Sequence, residues 1–183
     1  MASGARLGDR DTRLGEIVAD RNAFRTWYDE VLPPVYRYLL TRCGHDTALA
    51  EELTQQTFVD AVRHLDRFDG RSSVVTWLCA IGRHKLADHY RRADRRRRRD
   101  LRLRVSQRAD GLEVWAEHER RSEVAEALAQ LPGPQQLVLV LRYLDDLPVR
   151  EVAQTIGRSE KATESLLSRA REAFRRVYGA PQP

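Results

Sequence analysis

The sequence predicts an all-α protein made of two small helical domains joined by a flexible basic linker, the second domain containing a helix-turn-helix. Three observations carry this prediction. Apolar residues recur at three- and four-residue steps in one segment after another. No strand-like alternation recurs, and no glycine-rich βα turn occurs. A length of 183 residues suits one domain or two small ones.

Between about Asn22 and Arg42, Phe24, Trp27, Val31, Val35, Tyr38 and Leu39 mark one helix, which Pro33–Pro34 should kink or split and Gly44 should stop. Asp46 is placed to cap a second helix through about Leu65, with Leu49, Leu53, Phe58, Ala61 and Leu65 on its apolar face. Its other face is polar: Glu51, Glu52, Gln55, Gln56 and Asp60. In FDGRSS, Asp69–Gly70 turns the chain and Ser72 or Ser73 can cap a third helix, about Val74 to Arg92.

From Ala93 onward apolar spacing weakens and charge becomes dense, so a linker is expected, part of which can extend the third helix. A second helical unit begins near Glu117. Val124, Ala127, Leu128 and Leu131 mark its first helix, LPGP breaks it at 131–134, and Gln135 to Leu144 forms another. The expected boundaries are therefore 1–20, an extension whose order the sequence leaves open; 21–92; a linker at 93–116; 117–178; and a tail at 179–183.

Charge is distributed unevenly. The formal net charge is +5. From His89 to Arg108, however, ten arginines face only Asp94 and Asp100, a balance of +8 that leaves −3 for the rest of the chain. Such a block suits a polyanion, because each neutralised phosphate releases counterions; it also suits a solvated linker. Composition alone does not separate the two.

Several classes are excluded. Cys43 and Cys79 lie in helical stretches and read as thiols of a reducing compartment, and no metal-ligand spacing joins them to a histidine, so no metal site and no cofactor are expected. The first twenty residues lack the apolar core of a signal peptide, and the longest aliphatic run, LVLVL, is far short of the roughly 20 residues that span a bilayer. A cytoplasmic protein without membrane insertion is expected. No Ser/His/Asp order, phosphate loop or acidic metal cluster points to an enzyme.

The most informative segment is LPVREVAQTIGRSEKATESLLSRAREAFRR. Val149, Val152, Ala153 and Ile156 form the inner face of a short helix, Gly157 offers a left-handed exit, and Ser159 caps the next helix. Ala162, Leu166, Ala170, Phe174 and Val177 form its buried stripe. In a helix-turn-helix the first helix braces the second in a major groove, and the outward set here is Arg158, Glu160, Lys161, Thr163, Glu164 and Arg169.

LPGPQQLVLVLRYLDDLPVREVAQTIGRSEKATESLLSRAR resembles the C-terminal promoter-binding domain of bacterial sigma-70-type factors. Upstream, AEELTQQTFVDAVRHLDRFDGRSSVVTWLCAIGRHKLADHYRR resembles that family's other DNA-binding domain. The two matches stand in the family's order, with about forty residues between Arg92 and Leu131. That spacing is too short for the additional domain of larger sigma factors, and the short N-terminus leaves no room for their inhibitory extension. The likeness is therefore to the compact extracytoplasmic-function (ECF) type.

The resemblance implies a non-enzymatic initiation factor that binds core RNA polymerase, through the β′ clamp helices and the β subunit, and directs it to promoter DNA. Glu52, Gln55, Gln56 and Asp60 match the polymerase-docking face. Phe68, Arg71, Ser72 and Ser73 match the lining of a pocket for a base flipped from the minus-ten element. Arg83, Lys85, His89, Arg91 and Arg92 would follow the phosphate backbone. Trp77 matches a family tryptophan, although a tryptophan on a helix is more often a core residue.

His84 stands where the family usually has an asparagine, which leaves the preferred base open. For the minus-thirty-five element the matching residues are Arg158, Ser159, Glu160, Lys161, Thr163, Glu164 and Arg169, with Glu164 and Leu166 replacing common basic residues. An anti-sigma protein is a further implied partner. The alternative function is a stand-alone helix-turn-helix regulator, which would form dimers on palindromic sites without polymerase.

Overall fold

The computed structural model describes residues 14–103 and 119–179. Eight α-helices account for most of these residues, and no strand occurs among them, in agreement with the periodicity. The chain divides into two compact units. The first takes residues up to Thr41 together with Asp46–Lys85; the second takes Arg42–His45 and the residues from Leu86 onward.

In the first unit, α1 (Leu14–Ala19) precedes α2 (Arg21–Arg42), α3 (Thr47–Arg63) and the start of α4 (Val74–Leu103). Residues 14–19 of the expected N-terminal extension are thus helical, with Leu14 buried; residues 1–13 lie outside the described part. The Asp20 carboxylate starts α2 by accepting from the backbone N–H groups of Asn22 and Ala23, both at 2.8 Å. Asp46 caps α3 as expected, accepting from the Leu49 N–H at 3.0 Å.

Pro33–Pro34 do not split α2, which runs continuously for 22 residues. The two prolines remove the hydrogen bonds to the carbonyls of Asp29 and Glu30, which lie on an exposed stretch where water can replace them. Trp27, Val31, Val35 and Leu39, buried at four-residue steps, hold the helix on both sides of the pair.

The core of this unit joins that stripe to Ala50, Leu53, Phe58 and Ala61 of α3 and Val74 and Leu78 of α4. Phe58 meets the edges of Tyr28 and Trp27, with centroids 4.7 and 6.0 Å away. Gly82 is the tightest point. A Cβ there would stand 3.2 Å from both Leu39 Cδ2 and Thr57 Oγ1, so the missing side chain lets α4 approach α2 and α3 together.

The third helix does not end near Arg92. It continues to Leu103, so the first half of the expected linker is helical; residues 104–118 lie outside the described part. From Ala93 to Leu103 there are only Ala, Arg, Asp and Leu, with no glycine or proline to break the turn.

The second unit contains the later turns of α4, then α5 (Glu119–Ala129), α6 (Gly133–Leu139), a π-turn at Val140–Leu144, α7 (Val149–Ile156) and α8 (Glu160–Tyr178). The expected helix from Gln135 to Leu144 therefore changes pitch at Val140, where the Asp145 N–H reaches back five residues to the Val140 carbonyl. Helix α8 packs against α5, α6 and α7. Their shared core includes Leu128, Leu137, Val138, Leu141, Val152, Ile156, Leu167 and Ala170.

Two polar contacts pin this unit. Arg42 donates from Nε and Nη2 to one oxygen of Asp145, at 2.7 and 2.5 Å, and the Asp145 side chain is only 4% exposed. Buried Tyr90 donates its hydroxyl to Gln136 Oε1 at 2.9 Å. Gly133 of LPGP lies against the same ring, and a Cβ there would fall 2.4 Å from Tyr90 Cδ1.

Replacing Gly82 by valine is expected to lower unfolding free energy by about 1–3 kcal/mol, the usual cost of overpacking. Denaturant unfolding measures this, and a stability equal to the parent chain's would show that the three helices can part without cost.

Candidate polymerase-docking and nucleic-acid surfaces

The polar face of α3 presents Glu52 and Gln55 to solvent and leaves Gln56 half-buried. Gln56 Nε2 donates to Glu52 Oε1 at 2.8 Å, one turn earlier. Beside them Val59 and Val62 are 44% and 37% exposed. These two valines belong to the same outer face, which the sequence reading described by its polar residues alone. Asp60 is drawn toward α4 instead, where Lys85 Nζ lies 3.0 Å from its carboxylate. His64 Nδ1 lies 3.4 Å from the other oxygen of that carboxylate.

The hydrogen bond from Lys85 holds the Asp60 carboxyl below its ordinary 3.8; burial works against this, and the charges of Lys85, His64 and Arg67 add to it. Lys85 and Asp60, assigned from sequence to different partners, are thus one ion pair joining α3 to α4.

At the FDGRSS turn, Gly70 takes φ +70° and Arg71 folds back on Asp69, with Nε 3.4 Å from Oδ2. Arg71, Ser72 and Ser73 are exposed. The Ser73 hydroxyl is already engaged: it accepts from the Thr76 N–H at 3.1 Å and so caps α4. Phe68 packs on Trp77 with centroids 5.2 Å apart. Trp77 is only half-buried, so it is a partly open platform beside the turn rather than the core residue expected.

Along α4 the candidates separate by register. Lys85, His89 and Arg92 follow one another at steps of four and three and lie on one stripe. The next turn continues that stripe with Arg96, which is exposed like Arg92. Arg91 pairs with Asp88 one turn back, and His84 is exposed. Arg83 is not part of this stripe. It shares a face with buried Ala87 and Tyr90, and its Nε is itself buried without a hydrogen-bond partner.

The helix-turn-helix has the predicted geometry. Gly157 closes α7 at φ +66°, ψ 43°, and the Ser159 hydroxyl accepts from the Ala162 N–H at 3.3 Å to start α8. Glu160, Lys161, Glu164 and Arg169 are exposed along α8. Thr163 corrects the outward set: it is fully buried and donates its hydroxyl to the Ser159 carbonyl at 3.0 Å. It lies one position round from Ala162, which is only half-buried. Arg158 is 32% exposed, with Nη2 3.5 Å from Asp94 Oδ2 in the same unit.

Because Lys85 depresses the Asp60 carboxyl, the pair's contribution to stability is present above pH 3.8 and is lost as pH falls through the lower folded value. In Lys85→Met the Asp60 titration midpoint, followed by NMR, is expected to rise toward 3.8. An unmoved midpoint would show that the lysine does not hold the carboxylate.

Comparison with known proteins agrees with this architecture. A family model for Sigma-70 region 2 matches residues 27–96, and one for Sigma-70, region 4 matches residues 121–174. The chain is 32% identical over 159 residues to the RNA polymerase sigma factor YlaC of Bacillus subtilis, covering 81% of this chain and 85% of YlaC. It is also 32% identical over 167 residues to the ECF RNA polymerase sigma factor BldN of Streptomyces coelicolor, covering 86% of this chain but only 61% of BldN. Among solved structures, the sigma factor RpoE of Bartonella quintana, in complex with the anti-sigma factor NepR, aligns with a TM-score of 0.52 at 21% identity, over 87% of this chain and 98% of RpoE, a likeness of fold. With both regions present in order, the chain belongs to the sigma-70 family of RNA polymerase sigma factors, in its ECF subfamily.

Proposed function

We propose that this sigma factor docks on core polymerase through the outer face of α3, reads and helps to melt a minus-ten element with the FDGRSS turn and α4, and reads a minus-thirty-five element with the N-terminal half of α8. The observation that carries this reading is the pairing of both DNA-binding regions, in order, on one chain. Neither module need bind tightly. Holding both on one polymerase raises the effective concentration of the second once the first is engaged.

On the docking face, Val59 and Val62 supply the apolar contact, while Glu52, Gln55 and Gln56 form its polar border. At the minus-ten element, the half-open Phe68–Trp77 pair offers a surface on which an unstacked base can rest, returning part of the few kcal/mol that extrusion costs. Lys85, His89 and Arg92 then follow the strand as a row of positive or hydrogen-bonding groups. In the upstream major groove, Lys161 and Arg169 suit phosphate or guanine, and Glu160 and Glu164 can accept from cytosine. Arg158 joins them once its guanidinium leaves Asp94. A protein with these partners works in the cytoplasm, and an anti-sigma protein is the regulator we assign to it from its family.

The decisive experiment is run-off transcription with purified core polymerase on genomic fragments from the protein's own source. New discrete transcripts that require the protein are expected; specific DNA binding by the free protein, with no association with core, would instead fit the stand-alone regulator. Changing Val59 and Val62 together to serine is expected to weaken core binding by about tenfold, or about 1.4 kcal/mol. Undiminished affinity in the folded variant would remove this face from the docking surface. Lys161→Ala should lose protection of the upstream element, whereas Thr163→Ser should retain it because Thr163 is buried. Equal loss in both variants would mean that α8 does not enter the groove as described.

A further inference from the structure

The second compact unit is not made of region 4 alone. The Sigma-70 region 2 match covers residues 27–96, yet Arg42–His45 and the turns of α4 from Leu86 onward belong to the same compact unit as the helix-turn-helix. We infer that this packing is a closed resting state, in which the end of the minus-ten helix clasps the minus-thirty-five module, and that docking on core polymerase parts the two before a promoter is read. The inference rests on the proposed assignment of the two readers to separate promoter elements.

Three observations lead there. The first is how closely these segments meet within the unit. Arg42 donates twice to the buried carboxylate of Asp145, and the Tyr90 hydroxyl donates to Gln136 Oε1. Two glycines let the backbones approach. Gly44, at φ +68°, lies against α5, where a Cβ on it would stand 3.4 Å from the Ala129 Cβ. Gly133 lies so near the Tyr90 ring that a side chain would collide with it.

The second is what the contacts engage. Arg158 Nη2 lies 3.5 Å from Asp94 Oδ2, and a Cβ at Gly157 would stand 3.0 Å from Arg91 Nη1. Arg91 and Arg158, assigned to different promoter elements, thus line one crevice together with Tyr90, Asp94, Leu137 and Ile156. The corner that presents one reader is held against the helix that carries the other.

The third is distance. Elements named for positions ten and thirty-five are about 25 base pairs apart, or about 85 Å of duplex at about 3.4 Å per base pair. Groups a few ångströms apart cannot serve both, so the unit must open before the two elements are read together. The Arg158–Asp94 pair is partly exposed, where an ion pair is worth little, so it parts at small cost. Val59 and Val62, the apolar part of the proposed docking face, stay exposed while the unit is closed. The order that follows is polymerase first and promoter second.

Two measurements on the full chain test this, with Cys43 and Cys79 replaced by alanine. In the first, Arg95→Cys and Ser165→Cys, at exposed positions of the second unit, carry a donor and an acceptor dye. Energy transfer is expected to be high in the free chain and to fall at least twofold when core polymerase is added without DNA. Low transfer in the free chain, or transfer that core leaves unchanged, would overturn the inference.

In the second, Gly44→Cys and Ala129→Cys are joined by oxidation, since the Cβ atoms of a disulfide stand about 3.5–4.5 Å apart. The oxidised chain should bind core with parent affinity yet give less than a tenth of the run-off transcript that it gives after reduction. Equal transcription in the two states would rule out a closed form that has to open. A folded variant that never forms the bond would show that the two segments lie apart in solution, with the same consequence. If the unaltered chain gives no protein-dependent transcript, it is the proposed function that has failed, and energy transfer in the free chain still decides whether it is closed.

Discussion

The register of one long helix constrains most of this molecule. Val74, Leu78 and Gly82 are buried at four-residue steps in the part of α4 that belongs to the first unit, and Leu86 and Tyr90 in the part that belongs to the second. At Gly82 the approach of Leu39 and Thr57 fixes the rotation of α4 about its own axis. Once that rotation is set, the 3.6-residue period leaves no freedom over which side chains face outward: Lys85, His89 and Arg92 form a row, while Arg83 is turned into the packed face. The outward row follows from the packing of the helix's reverse side.

The second unit obeys a similar constraint on a shorter scale. Gly157 reverses the chain in a left-handed conformation that a side chain would resist, and Ser159 satisfies a donor at the start of α8. Between them the two residues set the angle at which α7 braces α8. The buried Thr163 ties the first turn of α8 to the same corner. As a result, the exposed residues of that turn are presented from a rigid support, which a groove-reading helix requires for register.

Polar contacts tie these surfaces to the scaffold. Asp60 fastens Lys85 to α3, Asp88 lies against Arg91, and Asp94 faces Arg158. Each cation proposed to meet DNA in these pairs already has an acidic neighbour, and a phosphate must compete with that neighbour. Half-exposed pairs of this kind are worth little in water, so the competition is mild and the side chains are held near useful positions without being locked.

The sequence by itself determined the helical class, the caps at Asp46 and Ser159, the left-handed exit at Gly157 and the order of the two regions. These features are local: a period, a side chain that satisfies its own backbone, or a glycine at a turn. It also carried the family likeness, since that resides in the order of residues. Tertiary structure decided what depends on partners distant in sequence. It placed Thr163 inside and Val59 and Val62 outside, paired Asp60 with Lys85, left Trp77 half open against Phe68, and kept α2 whole through two prolines. An apolar residue at a helical step is read as buried, yet burial requires another element above it, and only the packed chain shows where that covering element is missing.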